Sequence, residues 1–232
     1  MVNVGLLVAG LASPAALHAP DGFMSLPLAI AGYLITGGFI AYAVYRTNRD
    51  IGERQVPLMG VMAAFIFAAQ MINFPVAGGT SGHLLGGALA AILLGPWAAI
   101  LIMTAVVGLQ ALLFQDGGLV VLGLNVLNMG VITAFIGYWV YIGLGRILGG
   151  KDRARYVGGF AAAWLSVMAA AILTAVELAV SGTSPIGVAL PAMAGVHTLI
   201  GIGEGIITGA ALGFIAVTRR DLLELRTTER RA

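Results

Sequence analysis

The sequence predicts an all-α polytopic membrane protein: a bundle of seven helices with a short third helix, amino terminus outside and carboxyl terminus inside. Three observations carry this. Hydrophobic residues make up 59% of the 232 residues and charged residues only 9%, against about 25% charge in a soluble chain; with a mean hydropathy of +1.00, there is too little polar surface to cover a water-exposed sphere. The 34 glycines suit helices that approach one another closely in lipid. All 12 Lys and Arg fall in three clusters: Arg46, Arg49 and Arg54; Arg146, Lys151, Arg153 and Arg155; Arg219, Arg220, Arg226, Arg230 and Arg231. Positive loops stay cytoplasmic, so the chain must cross an odd number of times before the first cluster and an even number between clusters.

The apolar segments satisfy that parity in order. Residues 26–45 cross to the first cluster and 57–74 leave it, ending at Pro75. A glycine-rich outer loop follows, Gly78-Gly79-Thr80-Ser81-Gly82-His83. Residues 84–94 are only about half to two-thirds of the roughly 20 needed to span, and Gly95-Pro96 ends them. Residues 97–114 run out to Gln115-Asp116-Gly117-Gly118, 119–145 come in to the second cluster, and 156–180 go out to Ser181-Gly182-Thr183-Ser184-Pro185. The last span, 194–218, reaches the third cluster. The chain therefore divides into an extension (1–16), a seven-helix domain (17–218) and a basic cytoplasmic tail (219–232). Within the extension, 4–12 are apolar but too short to span; the positive start of a signal peptide is missing, and Pro14 and Ala16 make a poor small-x-small cleavage site.

Chemistry rests on few residues. With no cysteine there are no disulfides, iron–sulfur clusters, thiolate zinc sites or thiol nucleophile. A net charge of +2 carries no nucleic-acid signal. The three histidines, His18, His83 and His197, are the natural transition-metal ligands. His18 precedes the first span and His83 closes the glycine-rich loop; both are predicted on the outer side, where they could share one site. By itself, His18 beside Pro20 reads more readily as a solvated loop residue, and His83 equally as a helix-start residue bonded to loop carbonyls. His197 lies seven residues before Glu204 on one helix face, which predicts a buried polar pair; Glu204 and Glu177 need partners or a wet cavity in the bilayer. Gly201, Gly205, Gly209 and Gly213 read as close helix packing. Gln70, Asn73, Gln115, Asp116, Asn125 and Asn128 are candidates to orient the histidines or to bond between helices.

The stretches HAPDGF at 18–23, MINFPVAGGTSGHLLGGALAAILLGPWAA at 71–99, LLFQDGG at 112–118, NVLNMG at 125–130 and HTLIGIGEGIITG at 197–209 resemble the CbiM/NikM family, the substrate-binding membrane components of energy-coupling-factor importers for cobalt and nickel. The resemblance runs from about His18 to Thr218. It implies no enzyme activity and Co²⁺ or Ni²⁺ as transported substrate. It also implies a transmembrane coupling component, a pair of cytoplasmic ATPases, often a small accessory membrane subunit, and a place in the cytoplasmic membrane of a bacterium or archaeon. Neighbouring cobalamin-synthesis genes would point to cobalt, urease or hydrogenase genes to nickel. In the family the mature chain begins Met-His. Its α-amine, the next backbone nitrogen and that histidine's Nδ1 bind the metal, and the histidine of the GTSGH loop supplies a fourth nitrogen. Carried over, the ligands are Leu17, His18 and His83. Four nitrogens in a plane suit nickel(II), whereas zinc prefers a tetrahedron.

This chain departs from the pattern, because His18 follows Leu17 and sixteen further residues. The terminal chelate needs a chain starting at Leu17, through cleavage after Ala16 or an alternative start codon at Leu17 read as Met. Without a Walker A motif, with its single lysine Lys151 in a charged loop, the chain needs energy from other subunits. Gly37 and Ala41 on the first span are candidate docking residues, although lipid or intramolecular packing explains them too. Two rival functions are an intramembrane serine protease, with Ser81 of the rhomboid-like Gly-x-Ser-Gly and His197 as base, and a passive metal channel. His83 has no role in the first, and a single outer site argues against a multi-site pore. The outer half carries no basic side chain, a surface that does not repel an incoming divalent cation.

Overall fold

Prolines open three of the helices in a computed structural model that describes residues 18–52, 55–71, 74–76, 80–149 and 151–219. Pro27, Pro57 and Pro96 each sit in the first turn, where the missing N–H has no intrahelical partner and the fixed φ suits a helix. The helices are α1 (Leu26–Asp50), α2 (Val56–Gln70), α3 (Gly87–Leu94), α4 (Pro96–Leu113), α5 (Leu122–Leu148), α6 (Arg155–Val180) and α7 (Ile186–Thr218). This is the all-α, seven-helix architecture. Five of them, α1 and α4 to α7, are long and apolar enough to cross a membrane. A short helical turn, Lys151–Arg153, precedes α6.

Several boundaries differ from the sequence expectation. α1 runs past the apolar stretch to Asp50, and Arg46 pairs with Asp50 across one turn at 2.7 Å, so Arg46 and Arg49 of the first basic cluster stand at a helix end rather than in a loop, while Arg54 lies outside the described residues. α2 stops at Gln70, not at residue 74. Pro75 disfavours helix for the residue before it, and Phe74–Val76 instead pair antiparallel with Thr80–Gly82 in the register Phe74↔Gly82, Pro75↔Ser81 and Val76↔Thr80. The glycine-rich loop is thus a small hairpin, β1 and β2. α3 starts at Gly87 rather than 84 because Gly86 takes a left-handed φ of +79°, a conformation nearly free only for glycine. α7 starts at Ile186, eight residues earlier than expected, and carries Pro191 inside its second turn. Pro191 reads as a breaker in sequence, yet this close to the helix start it removes a single backbone bond.

α3 is the axis of the bundle. Seven of its eight residues are buried, and it packs against α4, α5 and α6. Glycine makes that contact possible: a Cβ on Gly137 of α5 would stand 2.5 Å from the Ala88 Cβ, and one on Gly87 1.9 Å from the Thr133 hydroxyl. α5 is π-helical over Leu127–Ile132, a one-residue widening often found at functional sites.

The longest seam joins α6 and α7. Gly201 faces Trp164, Gly205 faces Phe160, and Gly209 and Gly213 face Tyr156; added Cβ atoms would come within 2.9 Å of Trp164, 2.5 Å of Phe160 and 2.8 Å of Tyr156. Four glycines spaced four apart on one helix therefore receive three aromatic residues spaced four apart on the other, the close packing expected of them. The main core gathers Ile100, Met103 and Val107 of α4 with Val126 and Val131 of α5 and Ile66 of α2.

Candidate metal centre

The segment 18–25 lies across the outer ends of α4 and α5 and is tied down almost entirely by backbone bonds. Asp21 accepts the N–H groups of Leu119 at 3.1 Å, Val120 at 2.8 Å and Val121 at 3.3 Å, placing a carboxylate at the amino-terminal end of α5, where the helix dipole favours it. Gly118 N donates to Ala19 O at 3.0 Å, and Asn125 Nδ2 donates to the same carbonyl at 3.1 Å. Thr183 Oγ1 donates to Phe23 O, and Ser25 N donates to Ser181 Oγ at 3.0 Å. The Gln-Asp-Gly-Gly motif now has a physical reason. A Cβ on Gly117 would sit 2.8 Å from the His18 Cβ, and one on Gly118 2.0 Å from Asp21 Oδ1. Only glycine lets the strap lie this close.

His18 is 5% exposed. Its Nδ1 lies 3.0 Å from the Asp116 carbonyl and 3.4 Å from Asp116 Oδ1. A carbonyl only accepts, so Nδ1 carries the hydrogen and the lone pair falls on Nε2, which has no hydrogen-bond partner among the described residues. Burial pushes the His18 imidazole below its ordinary pKa, partly offset by the Asp116 carboxylate and carbonyl.

His83 is 6% exposed, and its ring meets that of His18 edge to face, with centroids 5.1 Å apart and planes at 86°. His83 Nδ1 donates to Leu84 O at 2.7 Å, which again leaves the lone pair on Nε2. Two buried imidazoles from distant parts of the chain are thus in contact. Among the described residues no three His, Asp or Glu side chains group to hold a metal ion. Leu17 lies outside the described residues.

The loop after His83 is held from two sides. Gln70 Nε2 donates to Leu85 O at 2.7 Å, and Glu204 accepts Leu85 N at 2.6 Å and Gly86 N at 2.9 Å. These bonds correct the expected His197–Glu204 pair. Seven residues of helix separate the two by about 10 Å along the axis; Glu204 reaches across to α3, while His197 Nδ1 turns back to Met193 O at 2.8 Å. Glu177 accepts Asn128 Nδ2 at 2.7 Å, and Asn128 also bonds Thr174 at 3.1 Å. Of the candidate orienting residues, Asp116 touches His18, Asn125 ties its strap, Gln70 holds the His83 loop, and Asn128 bonds α6; Asn73 lies outside the described residues. The sequence reading missed Asp21. Its place in Pro-Asp-Gly signals a turn, but the helix it caps starts 101 residues later.

Comparison with known proteins gives this arrangement a setting. Residues 18–222 match the family CbiM, described as a cobalt uptake substrate-specific transmembrane region. The chain is 41% identical over 210 residues to a protein of Archaeoglobus fulgidus provisionally named fused nickel transport protein NikMN, covering 90% of this chain and 68% of that one. It is 33% identical over 225 residues to the cobalt transport protein CbiM of Geobacter sulfurreducens, covering 92% of this chain and 63% of that one. A crystal structure described as a truncated transition metal transporter superposes with a TM-score of 0.78 at 32% identity, covering 87% of this chain and 99% of the other. These relatives are transport proteins, and neither a protease nor a passive channel is among these matches. With its helices, its histidine-bearing loop and its outer strap all inside the matched region, this chain belongs to the CbiM family of substrate-specific membrane components for cobalt and nickel transport.

Proposed function

We propose that this chain captures Co²⁺ or Ni²⁺ outside the cytoplasmic membrane and hands it inward as the substrate-binding component of an ATP-driven importer. The observation that carries this is the meeting of His18 and His83, two buried imidazoles 5.1 Å apart. They lie at the end of the bundle that the three basic clusters assign to the outside. Leu17, His18 and His83 supply the ligands: the α-amine of a chain starting at Leu17, the His18 amide nitrogen, His18 Nδ1, and His83 Nε2. The first three close five- and six-membered rings, and the four nitrogens lie in a plane that suits nickel(II) and disfavours zinc. The family match begins at residue 18, which supports a working chain that starts beside it.

Metal entry has a defined first step. His18 Nδ1 holds the Asp116 carbonyl at 3.0 Å, so this nitrogen must give up its hydrogen and that bond before it ligates. His83 needs no such change, because its Nδ1 bond to Leu84 O already places the lone pair on Nε2, the nitrogen proposed to ligate. Energy comes from a transmembrane coupling protein and cytoplasmic ATPases, sometimes with a small accessory subunit, and reorientation of the whole component carries the ion across.

Intact-mass measurement of purified protein, combined with Ni²⁺ titration, tests this reading. A chain starting at residue 17 binds with high affinity and His83→Ala abolishes that binding. A metal-binding chain that still carries residues 1–16 would falsify the terminal chelate, and wild-type binding by His83→Ala would remove the site itself.

A further inference from the structure

The peptide unit between Leu84 and Leu85 is bonded at both ends. Its carbonyl accepts His83 Nδ1–H at 2.7 Å, and its N–H donates to Glu204 Oε2 at 2.6 Å. Glu204 is itself fixed, with Oε1 accepting the next amide, Gly86 N, at 2.9 Å, and the side chain is 1% exposed. The left-handed φ of Gly86 is what turns two successive N–H groups toward one carboxylate. Gln70 holds the following carbonyl, Leu85 O, at 2.7 Å, so the peptide planes after His83 cannot rotate independently.

Metal-ligating histidines usually give their second ring N–H to a carboxylate or a carbonyl, which fixes the ring and raises its basicity. Here both partners stand in series, and hydrogen bonds in series polarise one another, most of all at low dielectric. We propose that Glu204 is a positioning residue for the metal site, acting on His83 through the Leu84–Leu85 peptide as a carboxylate–peptide–imidazole relay. The carboxylate draws the peptide dipole toward itself, the Leu84 carbonyl becomes the stronger acceptor, and Nε2 becomes the stronger metal donor. Because Glu204 stands on α7, the relay also ties the position of a ligand on the outer loop to the last helix of the bundle. The inference rests on His83 being a ligand, as proposed above.

The test uses the full chain in detergent with Ni²⁺ alone as probe, read by calorimetric Kd and by the d–d absorption of the bound ion. Glu204→Gln keeps the shape and one acceptor but removes the charge. It should raise Kd by about 10- to 100-fold, the usual cost of losing an outer partner of a ligating histidine, and move the d–d band to longer wavelength. Glu204→Asp keeps the charge but withdraws it by one methylene, about 1.5 Å, and should fall between wild type and Glu204→Gln in both readouts. A purely structural Glu204 would lower the melting temperature and leave the band where it is. Folded Glu204→Gln with wild-type Kd and band overturns the relay; should that variant not fold, an unchanged Kd and band in Glu204→Asp overturns it. His83→Ala separates the two ideas. If it binds Ni²⁺ like wild type, the site reading fails; if it loses Ni²⁺ while Glu204→Gln does not, only the relay fails.

Discussion

The outer end of the bundle and the α6–α7 seam are held by different physics. At the outer end, Asp21, Asp116, Asn125, Ser181 and Thr183 fasten an irregular strap through bonds to backbone atoms. Along the seam, glycines receive Tyr156, Phe160 and Trp164 by shape alone. Directional bonds fix the orientation of an imidazole but break and reform as single events. Shape complementarity tolerates no such exchange, since interiors pack to crystal density. On the function proposed above, the end that admits and releases an ion is built from separable parts, and the part that moves as one body is not.

That contrast can be broken at either end. The largest effect is expected from His83→Ala, which should lose high-affinity Ni²⁺ or Co²⁺ binding in calorimetry while the melting temperature holds. Next is Gly205→Ala. Its new methyl meets the Phe160 ring at 2.5 Å, and overpacking of this kind costs about 1–3 kcal/mol. The melting temperature in detergent should fall while Kd in the folded fraction stays put; a weakened Kd with unchanged melting would erase the distinction between the two regions. Asp21→Ala should do the reverse on a smaller scale. Losing a cap costs about 0.5–2 kcal/mol, and the loosened strap should weaken metal binding measurably.

Acid probes the strap through His18. His18 is pushed below its ordinary 6.5 by burial, so as pH falls below 6.5 the unfolded chain takes up the proton before the folded one. Stability is therefore full above 6.5 and declines with acidification until the folded ring also titrates. Metal affinity falls in the same direction, because the ligands must be deprotonated. Unfolding followed from pH 8 to 5 should show this decline in wild type and a flatter profile in His18→Gln. The smallest effect belongs to His197→Ala, where a half-buried ring whose Nδ1 bonds Met193 O should change Ni²⁺ affinity by less than about 0.5 kcal/mol.

The helices were legible in the sequence because apolar length and the three basic clusters are local signals. The start of α7 was not, since Pro191 argues for a break unless its place in the second turn is known. The hairpin at 74–82 was hidden by its glycines, which suit a loop equally well. His18 and His83 were readable as a possible pair, but their approach depends on Gly117, which leaves room for His18 only once the strap is in place. Glu204 shows the limit most clearly. Its helical spacing pointed to His197 on its own face, and nothing local to either stretch shows that it reaches two amides 118 and 119 positions earlier. Asp21 and the α5 end it caps are separated in the same way.

The eight-residue length of α3 carries a consequence for how the protein is made. At about 12 Å, against a hydrocarbon core of about 30 Å, it is too short to enter the bilayer as an independent unit. α2, at 15 residues, is marginal for the same reason. The buried α3 must then be seated after the long helices it packs against, α4, α5 and α6, have partitioned into lipid. His83 stands just before this late-arriving helix, so the candidate site it shares with His18 is completed only once α3 is seated.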